Sequence, residues 1–151
     1  MKLFLLNIGE ILIDEIDVPI ALSCTWSLNG WGYIQGKSNK YRDKYLHKII
    51  AERMGLNVSK LTDHKDLNKF NNQRFNLREA TKSQNLRNRN AQSNNKSGFK
   101  GVSWCKVKRK WRATIYAGGK HINLGYFDDP EEAHEVYCKA AIKYFGEFAR
   151  W

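Results

Sequence analysis

The stretch KWRATIYAGGKHINLGYFDDPEEAHEVYCKAAIKYFG, residues 110–146, decides the fold of the C-terminal third of the chain. At its start Trp111, Ala113 and Ile115 alternate with Lys110, Arg112 and Thr114, the period of a half-buried strand with one apolar and one polar face. Gly118-Gly119 is a hairpin turn into the next strand, residues 120–124. Asp129 then caps a helix, Pro130 takes its first position, and Glu132 completes a capping box. The apolar stripe of that helix is Ala133, Val136, Tyr137, Ala140, Ala141 and Tyr144, and Gly146 ends it. Residues 98–127 therefore read as three strands with one helix lying close on them through small alanines. The opposite sheet face, with its cations, is left open to a partner.

Working toward the N-terminus, residues 82–95 read as a short basic helix fading into a linker. A second helix starts at Asp43, with Tyr45, Leu46, Ile49, Ile50 and Met54 as its stripe and Gly55 as its stop. Residues 36–42 are polar and basic, as a loop is. Residues 3–6, 10–16 and 25–34 read as short strands, the last around the turn signal Asn29-Gly30 and carrying Trp26, Trp31 and Tyr33. Residues 60–81 show little periodicity and dense polar content. The expected organisation is a unit over residues 1–90, β-rich in 1–42, then a linker at 91–96 and a second module over 97–151. The class is α+β.

Charge separates along the chain. Residues 80–127 hold no acid but 11 of the 26 basic residues, leaving 15 basic residues against 15 acidic ones elsewhere. All of the net charge of +11 thus sits in one central third, and such segregation points to a polyanionic partner. No run approaches the roughly 18 apolar residues of a membrane span. The opening MKLFLLNIGEILIDEID is broken by acids and followed by no small-residue cleavage site, so it is not read as a signal peptide, and an intracellular protein is expected. Cys24, Cys105 and Cys138 form no C-x-x-C pair, so neither a zinc knuckle nor a disulfide framework is supported, and buried free thiols are expected.

The chemistry-bearing string is DHKDLNKFNNQRFNLREATKSQN, residues 63–85. Cutting a phosphodiester needs a base to deprotonate water and a hard cation to neutralise charge building on the phosphate. Histidine suits the first task, and a carboxylate with an amide oxygen suits the second, because Mg²⁺ takes few protein oxygens and keeps its waters. Asp63, His64, Asn76 and Asn85 supply these groups if the fold brings them together. The pattern D-H-x-D-x-x-x-x-N-N-x-x-x-N-L-R followed by S-Q-N, with L-H-K at residues 46–48, resembles the HNH endonucleases of phages and introns over about residues 8–90. The resemblance implies a ββα-metal module with Mg²⁺ or Mn²⁺. In it His64 is the general base, Asp63 and Asn85 the metal ligands, and Asn76 the residue that ties a long loop to the strands. His47 corresponds to an earlier family histidine that serves packing. Many relatives have glycine where this chain has Leu67, which alters the loop and leaves the choice between Asn76 and Asn85 as second ligand open.

The second module resembles the Apetala/ethylene-response-factor DNA-binding domain over about residues 97–150. The motifs are SGFKGVSW at residues 97–104, KWRA at 110–113, LGYF at 124–127, and E-E-A…Y…A-A at 131–141. That family lays a three-stranded antiparallel sheet, backed by one helix, in the major groove. The resemblance makes Ser103, Trp104, Lys106, Lys110, Arg112, Thr114 and Asn123 DNA-facing, with Trp104 open to core packing instead. Arg74, Arg87, Lys100, Lys108 and Arg109 join them as DNA-binding cations. His121 is a candidate to face DNA, and His134 is expected on the helix surface. The whole implies a phage free-standing homing endonuclease, monomeric, acting on double-stranded DNA. The rival is a non-enzymatic DNA-binding regulator with a degenerate HNH scaffold; an RNA-binding protein explains the charge but not residues 63–85.

Overall fold

The computed structural model describes all residues except Val58, Ser93 and the side chain of Asn39. It is a mixed α+β protein made of two compact units, Met1–Lys82 and Ser83–Trp151.

The first unit runs β1 (Lys2–Leu5), β2 (Gly9–Leu12), α1 (Val18–Leu22), β3 (Trp26–Leu28), β4 (Ile34–Gly36), α2 (Leu46–Arg53), β5 (Leu61–His64) and β6 (Leu77–Ala80). Its strands pair as three separate antiparallel hairpins, β1-β2, β3-β4 and β5-β6. No single hairpin buries enough surface to stand alone. The unit holds together because Ile11, Ile13, Ile34, Leu46 and Ile50, from β2, the segment after it, β4 and α2, meet in one fully buried cluster. Trp26 joins it and donates its indole N–H to the carbonyl of Ala21 at 2.7 Å.

The strand expected over residues 10–16 stops at Leu12. There the backbone of Leu12 turns to the polar loop, donating to Phe70 O at 2.9 Å and accepting from Asn72 N at 2.8 Å. The chain then tucks Asp17, fully buried, onto the guanidinium groups of Arg53 and Arg74. Pro19 opens α1, a helix the apolar alternation concealed. The helix expected from Asp43 begins at Leu46, because Asp43 takes φ +61 in a tight turn against Gly36. A side chain at residue 36 would run into the backbone of Tyr41.

After α3 (Lys82–Arg87), the second unit consists of β7 (Val102–Cys105), β8 (Lys110–Ala117), β9 (Lys120–Phe127) and α4 (Pro130–Phe145). The strands form one antiparallel sheet in the order β7-β8-β9. Ala133, Tyr137 and Ala141 of α4 pack on Val102, Ala113 and Ile115, and the Tyr137 ring occupies the space a side chain on Gly101 would need. Asp129 caps α4 as expected, its carboxylate accepting from Glu131 N at 2.7 Å. The second unit starts ahead of the expected linker for a visible reason. Lys100 Nζ donates to the carbonyls of Arg87 and Arg89 at 2.7 and 2.6 Å, and the Arg87 guanidinium lies 4.6 Å over the Phe145 ring. His134 is not on the helix surface: it is half-buried, 4.9 Å from the Phe99 ring, with Nδ1 3.3 Å from Lys100 O. The three cysteines are free, and half-buried rather than buried. Among the described residues no helix is long and apolar enough to cross a membrane.

Candidate functional site

Asp63 and His64 close β5, where the register sets them opposite Arg78 and Leu77 of β6. Arg78 places Nε and Nη2 on one oxygen of Asp63, at 3.0 and 2.9 Å, and the two side chains are only 8% and 4% exposed. His64 is buried as well, its Nε2 3.3 Å from Asn72 Oδ1. His47, from α2, meets the His64 ring edge-on at 5.1 Å; Tyr33 and Tyr45 lie 5.1 and 5.6 Å from His47. Burial holds the His64 pKa below its ordinary value, against the Asn72 hydrogen bond and the carboxylates of Asp66 and Asp63. Burial, with His64 and Lys48, takes His47 to about 3. Both rings are therefore neutral near pH 7, and a neutral imidazole can accept a proton.

The loop between β5 and β6 is closed by amides. Asn76 Nδ2 donates to Asp66 Oδ1 and to the Asn71 carbonyl at 2.9 and 2.8 Å, and its Oδ1 accepts from Asp66 N at 3.1 Å. Asn71 Nδ2 donates to the other Asp66 oxygen at 2.7 Å. Leu67 adopts φ +67, so the backbone takes a left-handed bend there without the glycine that favours it. Arg74 spends its guanidinium on Asp17 at 2.7 and 2.9 Å. Asp63, His64 and Asn76 belong to the first unit. Asn85 is half-buried on α3, within the second unit.

On the second unit the sheet face turned away from α4 is built in rows. Ser103, Arg112 and Tyr126 form one row, Thr114 and Asn123 the next, and Tyr116 and His121, with rings 4.8 Å apart, the third. Arg112, Tyr116, His121, Asn123 and Ser103 are exposed. Lys106, Lys108 and Arg109 lie exposed in the turn after β7, while Lys110 pairs with Asp128 at 3.0 Å. Trp104 sits on the other face, edge-on to Trp111 at 5.1 Å, and is 49% exposed. Lys100 is turned to carbonyls, and burial, with Arg150 nearby, lowers its pKa to about 8. Tyr116 and Tyr126 were missed as members of the polar face. Alternation along β8 already puts Tyr116 there. Tyr126 is hidden because Ala113 pairs with Gly125 but Thr114 with Asn123, so Leu124 is an extra residue that shifts the parity of β9.

A cation-bearing sheet backed by one helix, in one chain with a hairpin that buries an Asp-His pair, defines a two-part protein built to act on a polyanion. Residues 97–147 match the AP2 domain family, which implies binding to DNA. The chain is 37% identical over 89 residues to Protein 3.8 of Escherichia phage T7, covering 59% of this chain and 73% of that protein. It is 32% identical over 136 residues to a protein of Acanthamoeba polyphaga mimivirus named as an uncharacterized HNH endonuclease, covering 87% of this chain and 68% of the relative. The chain belongs to the HNH endonuclease family and carries an AP2 domain at its C-terminal end.

Proposed function

We propose that the protein is a metal-dependent DNA endonuclease, a free-standing homing enzyme of phage type, whose C-terminal sheet reads duplex DNA. The observation that carries this reading is the neutral, buried His64 beside the Asp63 carboxylate at the end of β5, in a chain whose mimivirus relative bears the name of an HNH endonuclease. β5, β6 and α3 then correspond to the ββα-metal elements. His64 takes a proton from the attacking water, and Asn76 keeps the loop in place.

By the family resemblance Asp63 would bring a carboxylate and Asn85 an amide oxygen, donor types that suit a hard divalent cation, Mg²⁺ or Mn²⁺. Arg78 engages Asp63 Oδ2 at 2.9–3.0 Å, and a carboxylate, with about four lone-pair directions, can hold an ion pair and a cation together. When bound, the cation neutralises charge developing on the scissile phosphate. Arg112, Ser103, Thr114 and Asn123 face the base edges, with Lys106, Lys108 and Arg109 on flanking phosphates.

The test is incubation of phage and plasmid DNA with the protein and Mg²⁺, followed by gel analysis for nicked or linear product. Wild type should cut, EDTA should stop it, and His64→Ala should lower cleavage by about 10²- to 10⁴-fold while leaving DNA affinity intact. Duplex binding without cleavage by wild type would point instead to a DNA-binding regulator.

A further inference from the structure

We propose that Asn72 is a positioning residue that sets the tautomer and plane of His64, so that Nε2 carries the ring proton and Nδ1 takes the proton from water. This rests on the reading of His64 as general base.

Asn72 is 1% exposed and held on three sides. Its backbone N–H donates to Leu12 O on β2 at 2.8 Å, and its Nδ2 donates to Lys69 O at 3.2 Å. Those two bonds turn Oδ1 toward His64 Nε2, 3.3 Å away. An amide oxygen has no proton to give, so Nε2 must be the donor. A neutral imidazole carries one N–H, so its lone pair is then on Nδ1. The backbone just before Asn72 is anchored as well. The Asn71 carbonyl is taken by Asn76, and Leu12 bridges Asn71 across β2. The edge of the His47 ring at 5.1 Å limits tilting of His64 from the α2 side. A neutral acceptor does this without a further carboxylate beside Asp63 and Asp66. In the step so served, a water O–H bond breaks, the proton goes to Nδ1, and the oxygen bonds to phosphorus as the P–O bond to the leaving deoxyribose oxygen breaks, that oxygen keeping the bond pair and taking a proton from solvent water.

The experiment combines long-range ¹⁵N–¹H NMR of the full chain, labelled at its four histidines, with steady-state cleavage. The His64 resonances are identified by their loss in His64→Ala. Wild type is expected to show a protonated Nε2 and an unprotonated Nδ1. Asn72→Leu, similar in shape but without an acceptor, should shift the ring toward the Nδ1–H form. Its kcat should fall about 10- to 100-fold, the usual cost of losing a group that orients a working histidine, with KM for DNA unchanged. Asn72→Asp, which keeps the acceptor, should restore the Nε2–H form and most of kcat. A wild-type ring protonated on Nδ1 overturns the proposal, as does Asn72→Leu with unaltered tautomer and kcat. If Asn72→Leu does not fold, the wild-type and Asn72→Asp spectra decide. If wild type fails to cut DNA, the nuclease reading falls, while the spectra still decide whether Asn72 sets the ring.

Discussion

Replacing Arg78 by methionine probes the centre of the site through stability rather than turnover. Arg78 and Asp63 face each other across β5 and β6 at 2.9–3.0 Å, with 8% and 4% of their side chains exposed. Were the pair on the surface, its loss would cost about 0–1 kcal/mol. Burial changes the answer. Removing one partner of a buried pair leaves the other charge to bear its desolvation, at about 3–5 kcal/mol. Methionine keeps most of the arginine stem, so a packing change adds under about 1.5 kcal/mol. Set against a whole-domain stability of about 5–15 kcal/mol, the loss is large but survivable. If Asp63 is a cation ligand, the variant should also respond more strongly to metal than wild type does, because the cation alone then offsets the buried carboxylate charge. Mg²⁺ at ten times its Kd would return about 1.4 kcal/mol. Urea denaturation followed by circular dichroism, in EDTA and in Mg²⁺, measures both effects. A loss below about 1 kcal/mol refutes the burial argument. Equal Mg²⁺ stabilisation of Arg78→Met and of Asp63→Asn with Arg78→Met refutes the ligand assignment.

Three further outcomes are expected. His47 has an ordinary value of 6.5 when unfolded and about 3 when folded, so between them the unfolded state binds more protons. Stability should therefore fall as pH drops through that window, by up to about 1.4 kcal/mol per unit for this group, and His47→Gln should flatten the slope; an unchanged profile in urea melts would show the acid limb arises elsewhere. Arg112→Ala should cost about 1–3 kcal/mol on a preferred site and relax preference at one position, whereas Lys108→Ala should weaken all sequences alike and reduce the salt slope; a randomised-site selection separates the two, and a uniform loss for Arg112→Ala would make the sheet an electrostatic clamp. A fragment of residues 83–151 should be more stable than one of residues 95–151. The shorter fragment lacks the Arg87 and Arg89 carbonyls that receive Lys100, bonds to a charged group being about 1.5–3 kcal/mol each before solvent compensates. Equal thermal midpoints would count against this.

The C-terminal unit was legible because its signals are local. Strand alternation, Gly118-Gly119 and the Asp129-Pro130 start each act within a few residues, and the three-stranded sheet with α4 formed where they indicate. The first unit was harder to read for a physical reason. In β5 both Asp63 and His64 are buried, as are Leu77 and Arg78 in β6, so the in-out alternation that marks a strand is absent. Only the resemblance of the 63–85 string pointed to the hairpin. Asn72 stood in that string without a role, because its significance lies in contacts with Leu12 and Lys69 that spacing does not reveal. Arg74 and Lys100 read from the sequence as DNA-binding cations, and spacing does not reveal the buried carboxylate or the carbonyls that each also meets.

Asp63, His64, Asn71, Asn72, Asn76 and Arg78 are all buried, in a segment the core cluster borders only through Leu77 and Phe70. Polar groups taken out of water must find partners, and a network that finds them does little better than the apolar residues it displaces. A hairpin needed only as scaffold could be closed by aliphatic side chains, as β1-β2 is by Leu5 and Ile11. The loop of residues 65–76 instead spends three asparagines and Asp66 on holding itself and the His64 ring, and accepts a left-handed Leu67 in doing so. Its effect is geometric: an imidazole of fixed plane beside a carboxylate of fixed position. A base that must meet water and phosphate at hydrogen-bond distance requires that fixity, and a mere DNA-binding scaffold does not.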